Sequence, residues 1–583
     1  MSPPQLATQP LADPALFDHF TAPNGIARLR ELILQLAVQG KLGTQDPGDE
    51  PASVLLERIR KEKERLMREG QIKKDKPLEK IKVGEVSYRI PDSWILTRLG
   101  YIARYNAEIK VCAKEVSDDA WVLDLEDIEK NTSHILQKVR FKDRQSLSSK
   151  SRFNKGDILY GKLRPYLNKV VVADEGGYCT TEIVPIRPYG KIFPKFLMYA
   201  LKTPDFLSYV NSKTYGIKMP RLGTTDALNT IIPLPPLAEQ HRIVAKVDRL
   251  LALCDELEAR QQQERAGCLK LGTASLTALQ NAECPEEFER QWTQVCEAFE
   301  QIFDCPENVG MLRQTILQLA VEGRLVKQDP DDEPANNILN NQKIKPLNVN
   351  EIPFELPHGW IGVNCNSICD KNRIITYGVI KLGLDVKEGI PILRSSDVKF
   401  LYINPRKIKR IDPSIASQYQ RTFLQGGDIV INVRGTLGGI SVVPQEMVGY
   451  NISREVAVIP LIHQISKRYI AFTLASPFCQ NWLSKNTKGI AYSGINIADL
   501  KQLPIPLPPL AEQHRIVAKV DALMALCDAL EARLKERAAV QEKFAVAVVK
   551  HIAGGVQCLK IRQQGTFSRP KYWICSEDRS FLQ

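Results

Sequence analysis

The sequence predicts two domains of mixed α/β or α+β type, separated by long α-helices that pair as a coiled coil, in a chain built by tandem duplication. Three observations lead to this prediction. Two different sequence repeats each occur twice, one repeat spaces its apolar residues as a coiled coil does, and the segments between repeats mix short β-type runs with helix-compatible stretches. With 583 residues, the chain is long enough for three or four domains.

The first repeat occupies residues 29–52 and returns at residues 312–335. The two copies, LRELILQLAVQGKLGTQDPGDEPA and LRQTILQLAVEGRLVKQDPDDEPA, are identical at 17 of 24 positions. Each copy reads as an apolar helix that ends at a glycine, Gly40 or Gly323, before a polar loop with Asp-Pro. The apolar LQLAV run requires a neighbouring element on which to pack.

The second repeat occupies residues 233–260 and returns at residues 506–533. Its copies, PLPPLAEQHRIVAKVDRLLALCDELEAR and PLPPLAEQHRIVAKVDALMALCDALEAR, are identical at 25 of 28 positions. The two repeats return after 283 and 273 residues, far beyond the roughly 20 to 50 residues of a solenoid repeat, so each unit is a complete domain with its helices. We therefore expect a molecule with pseudo-twofold symmetry.

Apolar residues of the second repeat recur at alternating spacings of four and three, which is the spacing of a coiled-coil seam. The predicted seam consists of Ile243, Val247, Leu250, Cys254, Leu257, Ile516, Val520, Leu523, Cys527 and Leu530. A single helix of this kind is more often ordinary core, but two near-identical copies with charged residues on their other faces favour pairing with each other. Residues 260–311 are also mostly helix-compatible, so we expect a continuous helical middle.

Two separate segments carry the positive charge of the chain. Residues 95–230 contain 22 Lys and Arg against 15 Asp and Glu, and residues 361–501 contain 18 against 9, while the net charge of the whole chain is +12. The remainder is therefore mildly acidic. Two basic lobes of similar charge on an acidic scaffold are typical of a protein that binds a polyanion at two places.

Each basic segment contains an apolar strand that leads into a turn bearing an arginine. GDILYGKLR at residues 156–164 corresponds to GDIVINVRG at residues 427–435. Arg164 and Arg434 are candidates to read guanine in bidentate fashion or to grip a phosphate, and the alternative is a salt bridge that holds the fold. Lys162, Arg394 and Thr436 are weaker candidates of the same kind. Because the interiors of the two segments otherwise diverge, the predicted target consists of two unlike halves.

Several other classes of protein are disfavoured. No window approaches the length of an apolar membrane span, and the N-terminus lacks the features of a secretory signal, so we expect a cytoplasmic protein. The thirteen cysteines are scattered, and neither disulfides nor a metal site is expected. The motifs for target-amine binding, methyl-donor binding and ATP binding are missing, and we assign no catalytic residue.

The repeats PLPPLAEQHRIVAKVD and ILQLAV(Q/E)G(K/R)L…DP.DEPA resemble those of the specificity subunits of type I restriction–modification enzymes. The landmarks GDILYGKLRPYL, GDIVINVRGTLG and ITYGVIKLG…PILRSSDV resemble segments inside the target-recognition domains of that family. The resemblance covers roughly residues 17 to 550, and the repeat motifs are highly specific. The tail after about residue 555 matches no expected pattern.

The resemblance implies two target-recognition domains held apart by an antiparallel coiled coil, and an asymmetric bipartite DNA target. The implied partners are double-stranded DNA, two methyltransferase (M) subunits and restriction/translocase (R) subunits. No association with a membrane is expected. The partner subunits would bind S-adenosylmethionine, ATP and Mg²⁺, whereas this chain would bind no cofactor and carry no catalytic centre. Adenine methylation and DNA cleavage would both depend on the chain.

The predicted domain boundaries follow from the repeats and the basic segments. They are residues 1–60 (first repeat), 61–94 (linker), 95–231 (target-recognition domain 1), 232–345 (central helical region), 346–504 (target-recognition domain 2), 505–555 (second repeat) and 556–583 (tail, expected to be disordered).

Two alternatives remain open at this point. One is a self-contained DNA-modifying enzyme, with a nuclease site assembled around Glu108-Ile109-Lys110 or Asp397-Val398-Lys399. The other is a coiled-coil adaptor that does not bind DNA. Salt-sensitive DNA binding would separate the adaptor from a DNA reader, because phosphate contacts weaken steeply with ionic strength.

Overall fold

The computed structural model describes residues 24–554, except residues 44, 73–76, 83, 107–109, 145–147, 217–218, 339–346, 348–350, 436 and 488–493. The chain divides into two compact units. Unit 1 comprises Met1–Gln263 and Glu536–Arg562, and unit 2 comprises Glu264–Lys535 and Gln563–Gln583. Each unit contains one basic segment and one copy of each repeat.

Helices of seven or more residues are numbered in chain order. They are α1 (Gly25–Val38), α2 (Ala52–Arg68), α3 (Pro194–Ala200), α4 (Pro204–Lys213), α5 (Leu237–Asn281), α6 (Pro285–Glu297), α7 (Pro306–Val321), α8 (Lys467–Ala475), α9 (Pro477–Lys485) and α10 (Leu510–Gly554). Shorter helical segments are Leu99–Ile102, Phe141–Arg144, Thr224–Leu228, Phe299–Ile302, Ala335–Ile338, Pro413–Ser417 and Ile497–Lys501.

The basic segment of unit 1 and the start of the second repeat form two four-stranded sheets and one strand pair. The strands are β1 (Ile95–Arg98), β2 (Ala103–Tyr105), β3 (Lys110–Val111), β4 (Val122–Leu123), β5 (Lys150–Phe153), β6 (Ile158–Gly161), β7 (Val170–Val172), β8 (Gly177–Thr180), β9 (Ile183–Pro188) and β10 (Ile231–Leu234). The sheet orders are β2-β9-β6-β7 and β3-β5-β8-β4, and β1 pairs with β10.

The basic segment of unit 2 and the start of the second repeat have a related but not identical set of strands. They are β11 (Ile361–Asn364), β12 (Thr376–Tyr377), β13 (Ile390–Leu393), β14 (Val398–Lys399), β15 (Tyr402–Ile403), β16 (Lys409–Ile411), β17 (Ile429–Asn432), β18 (Ile440–Val442), β19 (Asn451–Ile452), β20 (Val456–Ile459) and β21 (Pro504–Leu507). The sheet orders are β12-β20-β17-β18 and β16-β13-β19, with the pairs β14-β15 and β11-β21.

The sheets β2-β9-β6-β7 and β12-β20-β17-β18 are the common frame of the two units. Ile158 lies opposite Ile186 in the first, and Ile429 lies opposite Ile459 in the second, in antiparallel register. Helix α3 packs on β6 and β7, and helix α8 packs on β18. The strand-to-turn landmark of the sequence therefore begins on a central strand of each sheet.

The helix of the first repeat ends at a left-handed glycine in both units, as the sequence predicts. Gly40 and Gly323 both have φ +71°. A Cβ atom at Gly40 would overlap Pro91, and one at Gly323 would overlap Pro357, so a larger residue fits neither position.

The predicted seam residues lie in the cores of their own units. Ile243, Val247 and Cys254 are buried together with Leu29 of α1. Their counterparts Ile516, Val520 and Cys527 are buried together with Ile316 of α7, and Leu250, Leu257, Leu523 and Leu530 pack at the margins of these cores. The helix of the second repeat thus covers the apolar face of the first, and this packing accounts for the spacing of the seam residues. The antiparallel pairing of the two copies stays a prediction.

The expected continuous helical middle is wrong. Helix α5 extends to Asn281, but α6 begins at Pro285 and α7 at Pro306. A proline has no N–H to donate within a helix and is favoured in the first turn, so each proline starts a new helix. The region is helical, but it is broken into segments.

Candidate DNA-contacting loops

In unit 1, the two repeats and Trp94, the residue just before the basic segment, meet at the buried carboxylate of Glu239, in the first turn of α5. Trp94 donates its indole N–H to one oxygen at 2.8 Å, and Gln45 donates to the other at 2.6 Å. Burial raises the pKa of Glu239, and these two hydrogen bonds oppose that effect. Arg242 on the next turn binds Asp49 in the loop of the first repeat. The basic segment is therefore anchored to both repeats.

Unit 2 repeats this junction. Trp360 donates to Glu512 at 2.9 Å, and Gln328 donates to the same carboxylate at 3.0 Å. Burial again raises the pKa of Glu512. Each basic segment is thus held in the same way on its own helical frame.

A buried aspartate fixes the start of the central strand in each sheet. Asp157 accepts two hydrogen bonds from Arg187 on β9, at 2.8 and 2.7 Å, and one from the backbone of Asn154. In unit 2, Asp428 accepts two from Arg373 at 2.6 and 2.7 Å. These bidentate ion pairs stabilise strands β6 and β17, which lead into the loops that carry Arg164 and Arg434.

The residues that follow the central strands are equivalent in backbone bonding. Lys162 N–H donates to the carbonyl of Glu182 at 3.0 Å, and Val433 N–H donates to that of Glu455 at 2.9 Å. Arg164 therefore lies two residues after Lys162, whereas Arg434 lies one residue after Val433. The two candidate arginines occupy neighbouring rather than identical positions of the same loop.

In unit 1, residues 162–168 lie beside residues 214–216 and 219–222 of a second loop. Arg164 N–H donates to Pro220 O at 2.8 Å, and Leu222 N–H donates to Lys162 O at 3.1 Å. Tyr215 exchanges both backbone hydrogen bonds with Arg221. The two loops therefore form one continuous surface, which we call loop surface 1.

The side chains on loop surface 1 differ in their availability. Arg164 is exposed, and its guanidinium has no hydrogen bond or ion pair with any residue that the structure describes. Arg221 is occupied, because it donates twice to Glu182 at 3.0 Å. That hydrogen bonding is the main cause of the lowered pKa of Glu182, and Lys162 adds to it. Arg164 is consequently a cation that no carboxylate in the described part of the chain neutralises.

Loop surface 1 also exposes large side chains that the sequence pattern did not single out. Tyr166 is 52 % exposed, Tyr215 61 % and Met219 50 %. Aromatic and apolar side chains are usually at least half buried in a folded domain. Their exposure beside Arg164 indicates a surface that contacts another molecule.

In unit 2, residues 433–435 and 437–438 belong to the equivalent loop, and together with residues 494–495 we call them loop surface 2. Ile495 N–H donates to Val433 O at 2.9 Å, and Arg434 forms an isolated antiparallel β-bridge with Gly494 through the backbone. Arg434 is exposed, and its guanidinium carbon lies 5.9 Å from the centre of the Tyr377 ring. Tyr377 is itself 42 % exposed, so the cation and the aromatic ring are presented side by side.

The weaker candidates are placed differently. Lys162 is half-buried at the base of loop surface 1. Arg394 donates to Asp397 through Nε at 3.0 Å and Nη2 at 3.1 Å, so its guanidinium already holds a turn of the fold. Thr436 lies outside the described residues.

The same ion pair bears on the nuclease alternative. Asp397 is 4 % exposed, and its carboxylate forms an ion pair with Arg394. Glu108 and Ile109 lie outside the described residues. Among the residues that the structure does describe, no group of three or more His, Cys, Asp or Glu side chains could hold a metal ion.

A family model decides the relationship of the chain to known proteins. The Type I restriction modification DNA specificity domain matches residues 129–265 and 369–539. These ranges include both candidate loops and both copies of the second repeat. The chain belongs to this family of DNA specificity subunits.

Relatives in the specificity-subunit family match along nearly the whole chain. The specificity subunit of the type I restriction enzyme EcoAI of Escherichia coli is 32 % identical over 90 % of this chain and 93 % of its own length. That of EcoEI, also from Escherichia coli, is 31 % identical with the same two coverages. The resemblance noted in the sequence is thereby confirmed.

A solved structure agrees with the fold. A chain from a study of assembly and conformational transition in the type I restriction–modification system aligns with a TM-score of 0.51, at 21 % identity, over 80 % of this chain and 99 % of that chain. The specificity-subunit fold, with two recognition domains of mixed helix and sheet, is therefore confirmed. Within the described residues, no helix has the length and apolar character needed to cross a bilayer.

Proposed function

We propose that this specificity subunit reads a split DNA target, one half with loop surface 1 and the other with loop surface 2. The observation that carries the proposal is the pair of equivalent loops with unlike exposed side chains. Arg164, Tyr166 and Tyr215 stand on the first, and Arg434 and Tyr377 on the second. Like frames with unlike surfaces suit two different short sequences, because base edges are read by individual side chains.

The charge distribution supports a nucleic acid as the ligand. Both basic segments have an excess of Lys and Arg, and these segments contain the two loop surfaces. Cations that face phosphates make binding strong but dependent on salt, whereas the exposed arginines can add base discrimination. A coiled-coil adaptor would need neither feature.

Catalysis is assigned to partner subunits. We propose that the chain docks two methyltransferase subunits and the restriction/translocase subunits through its helical repeats, so that adenine methylation and DNA cleavage both occur at the sequence it selects. The partners would bind S-adenosylmethionine, ATP and Mg²⁺. The site of action is then the cytoplasm, where DNA is accessible.

The test is methylome sequencing of cells that express this chain with and without a cognate methyltransferase subunit. A gapped adenine-methylated motif should appear only with both proteins. Exchange of residues 361–501 for those of another family member should change one half of the motif and keep the other. Methylation from this chain alone would contradict the assignment of catalysis to partners, and no methylation with an active partner would contradict DNA reading.

A further inference from the structure

The backbone of Arg164 has a conformation that normally belongs to glycine. Its φ is +50° and its ψ is +58°, in the left-handed region. A residue with a Cβ atom is disfavoured there because the Cβ approaches its own carbonyl oxygen. Such a conformation persists only where the surroundings enforce it.

Unit 2 has a glycine at the equivalent position. Counting from Lys162 and Val433, which make the same backbone hydrogen bonds, Arg164 corresponds to Gly435. Gly435 has φ +76°. The loop therefore requires a left-handed residue at this point in both units, and unit 1 fills the position with an arginine where glycine would be free of strain.

Among the described residues, no side-chain contact of Arg164 offsets this strain. The backbone contacts of Arg164, to Pro220 O and from Leu167 N–H, would be available to glycine as well. Its guanidinium is exposed and bonds to no residue that the structure describes. The carboxylate of Glu182, whose carbonyl oxygen accepts from Lys162 N–H, is held by Arg221. A strained residue whose side chain bonds to none of the described residues indicates a contact with another molecule.

The geometry points to Arg164 as a specificity-determining residue of unit 1, whose guanidinium reads the major-groove edge of a guanine between the exposed rings of Tyr166 and Tyr215. This inference rests on the proposed function. Arginine pairs with O6 and N7 of guanine through two donors held in a rigid fork. In unit 2 the reading arginine stands one residue earlier, at Arg434, and the two guanidinium groups therefore address different positions of their half-sites.

A DNA phosphate also offers two acceptors to the Arg164 guanidinium. The experiment therefore distinguishes a contact with guanine from a contact with phosphate. Purified full-length chain is incubated with a pool of DNA duplexes that carry a randomised stretch, and bound duplexes are sequenced. The variants are Arg164→Gly, Arg164→Lys and the control Lys407→Gly. Lys407 is an exposed cation with φ +60°, so its replacement also removes a charge and a left-handed side chain.

The wild-type chain and Lys407→Gly should enrich the same split motif. Arg164→Gly should lose the preference for guanine at one position of one half by about tenfold or more, and keep every other position. Arg164→Lys should lose it too, because an ammonium is a point charge without the fork. The melting temperature of Arg164→Gly should equal or exceed that of the wild type, since relief of strain offsets the freedom of glycine in the unfolded chain.

Three outcomes would overturn the inference. An unchanged motif in Arg164→Gly would mean that the side chain reads no base. A loss of affinity that is equal for all sequences would identify a phosphate contact. A clear fall in melting temperature would identify a structural role. If the wild-type chain itself enriches no split motif, the proposed function fails, and this result is distinct from the other three.

Discussion

The indole of Trp94 donates a hydrogen bond of 2.8 Å to the carboxylate of Glu239, although 145 residues separate the two in the chain. Trp360 and Glu512 repeat the relationship at 2.9 Å. The tryptophan stands just before the first strand of its basic segment and the glutamate in the first turn of a long helix, so one hydrogen bond links the recognition domain to the second repeat in each unit.

Replacement of Trp94 by Phe tests this link. Phenylalanine fills much of the space but removes the N–H, and the buried carboxylate then keeps only Gln45 among the two donors described. We expect unit 1 to lose about 1–3 kcal/mol of unfolding free energy, because a buried acceptor loses its partner. Urea unfolding followed by circular dichroism measures the loss. Trp360→Phe should produce a similar loss in unit 2, and a negligible effect of both variants would contradict the linking role.

The pH dependence of stability should show the buried amine of Lys202. This residue is 4 % exposed, and burial, assisted by the positive charge of Arg30, lowers its pKa from 10.5 to about 8. The folded state therefore disfavours the charged form, and stability should rise as pH increases from about 8 to 10.5. Lys202→Met removes this penalty and should stabilise unit 1 at pH 7 by up to about 3 kcal/mol, less the lost hydrogen bond to Ser133.

The measurement for Lys202 is urea unfolding at pH 7 and at pH 10.5. The advantage of Lys202→Met should fall to a few tenths of a kcal/mol (roughly RT ln 2) at the higher pH, where the amine of the wild type is neutral in the folded state and about half protonated in the unfolded state. Lys191→Met, at an exposed position, serves as the control and should show no such change. An advantage that persists unchanged at pH 10.5 would mean that packing, rather than charge burial, causes it.

The ion pair of Arg187 with Asp157 should be essential to the strand that leads into loop surface 1. Asp157 is 2 % exposed, and Arg187→Met leaves its carboxylate with the Asn154 backbone donor but without its cation. We expect a loss of about 3–5 kcal/mol in the unfolding free energy. Arg104, which lies opposite Arg187 in the sheet, is a matched control, and Arg104→Met should cost much less. Equal losses would show that the charge partner is irrelevant.

Local signals in the sequence predict much of the fold. Glycine at the end of each first-repeat helix and a strand before each candidate loop follow from short-range backbone preferences. The prolines at the start of α6 and α7 are local signals of the same kind, but the expectation of a continuous helical middle overlooked them. The spacing in the second repeat identifies the buried face of the helix. It does not identify what covers that face, because Leu29 and Ile316 present the same kind of apolar surface as another copy of the helix.

The candidate sites were less predictable for a physical reason. Arg164, Arg394 and Arg434 look alike in sequence, but Arg394 has Asp397 three residues away and binds it, whereas the other two stay exposed. The exposure of Tyr166 and Tyr215 depends on how two distant loops meet, which no local pattern reports. The one-residue offset between Arg164 and Arg434 is visible once the landmarks are aligned, but its meaning requires the left-handed backbone of Arg164.

Val247→Asp tests the packing of the two repeats within unit 1. Val247 is fully buried, and a carboxylate there would lack a partner. We expect a loss of more than about 3 kcal/mol in unfolding free energy and a lower melting temperature. Leu253→Asp, at a position that is 37 % exposed on the same helix, should cost far less. Val520→Asp should damage unit 2 in the same way, and tolerance of both buried charges would contradict the core described for α5 and α10.

Arg434→Ala tests base reading in unit 2. The Arg434 guanidinium is exposed beside the Tyr377 ring and holds no ion pair in the described part of the chain, so the variant should keep the melting temperature of the wild type. Affinity for the duplex selected by the wild-type chain should fall by about 5- to 100-fold, while affinity for unrelated duplexes should fall little. Competition binding at several salt concentrations measures both. Arg421→Ala, which removes an exposed charge elsewhere in unit 2, is the control for net charge. An equal loss on selected and unrelated DNA, with a salt dependence reduced by about one phosphate contact, would instead place Arg434 on the DNA backbone.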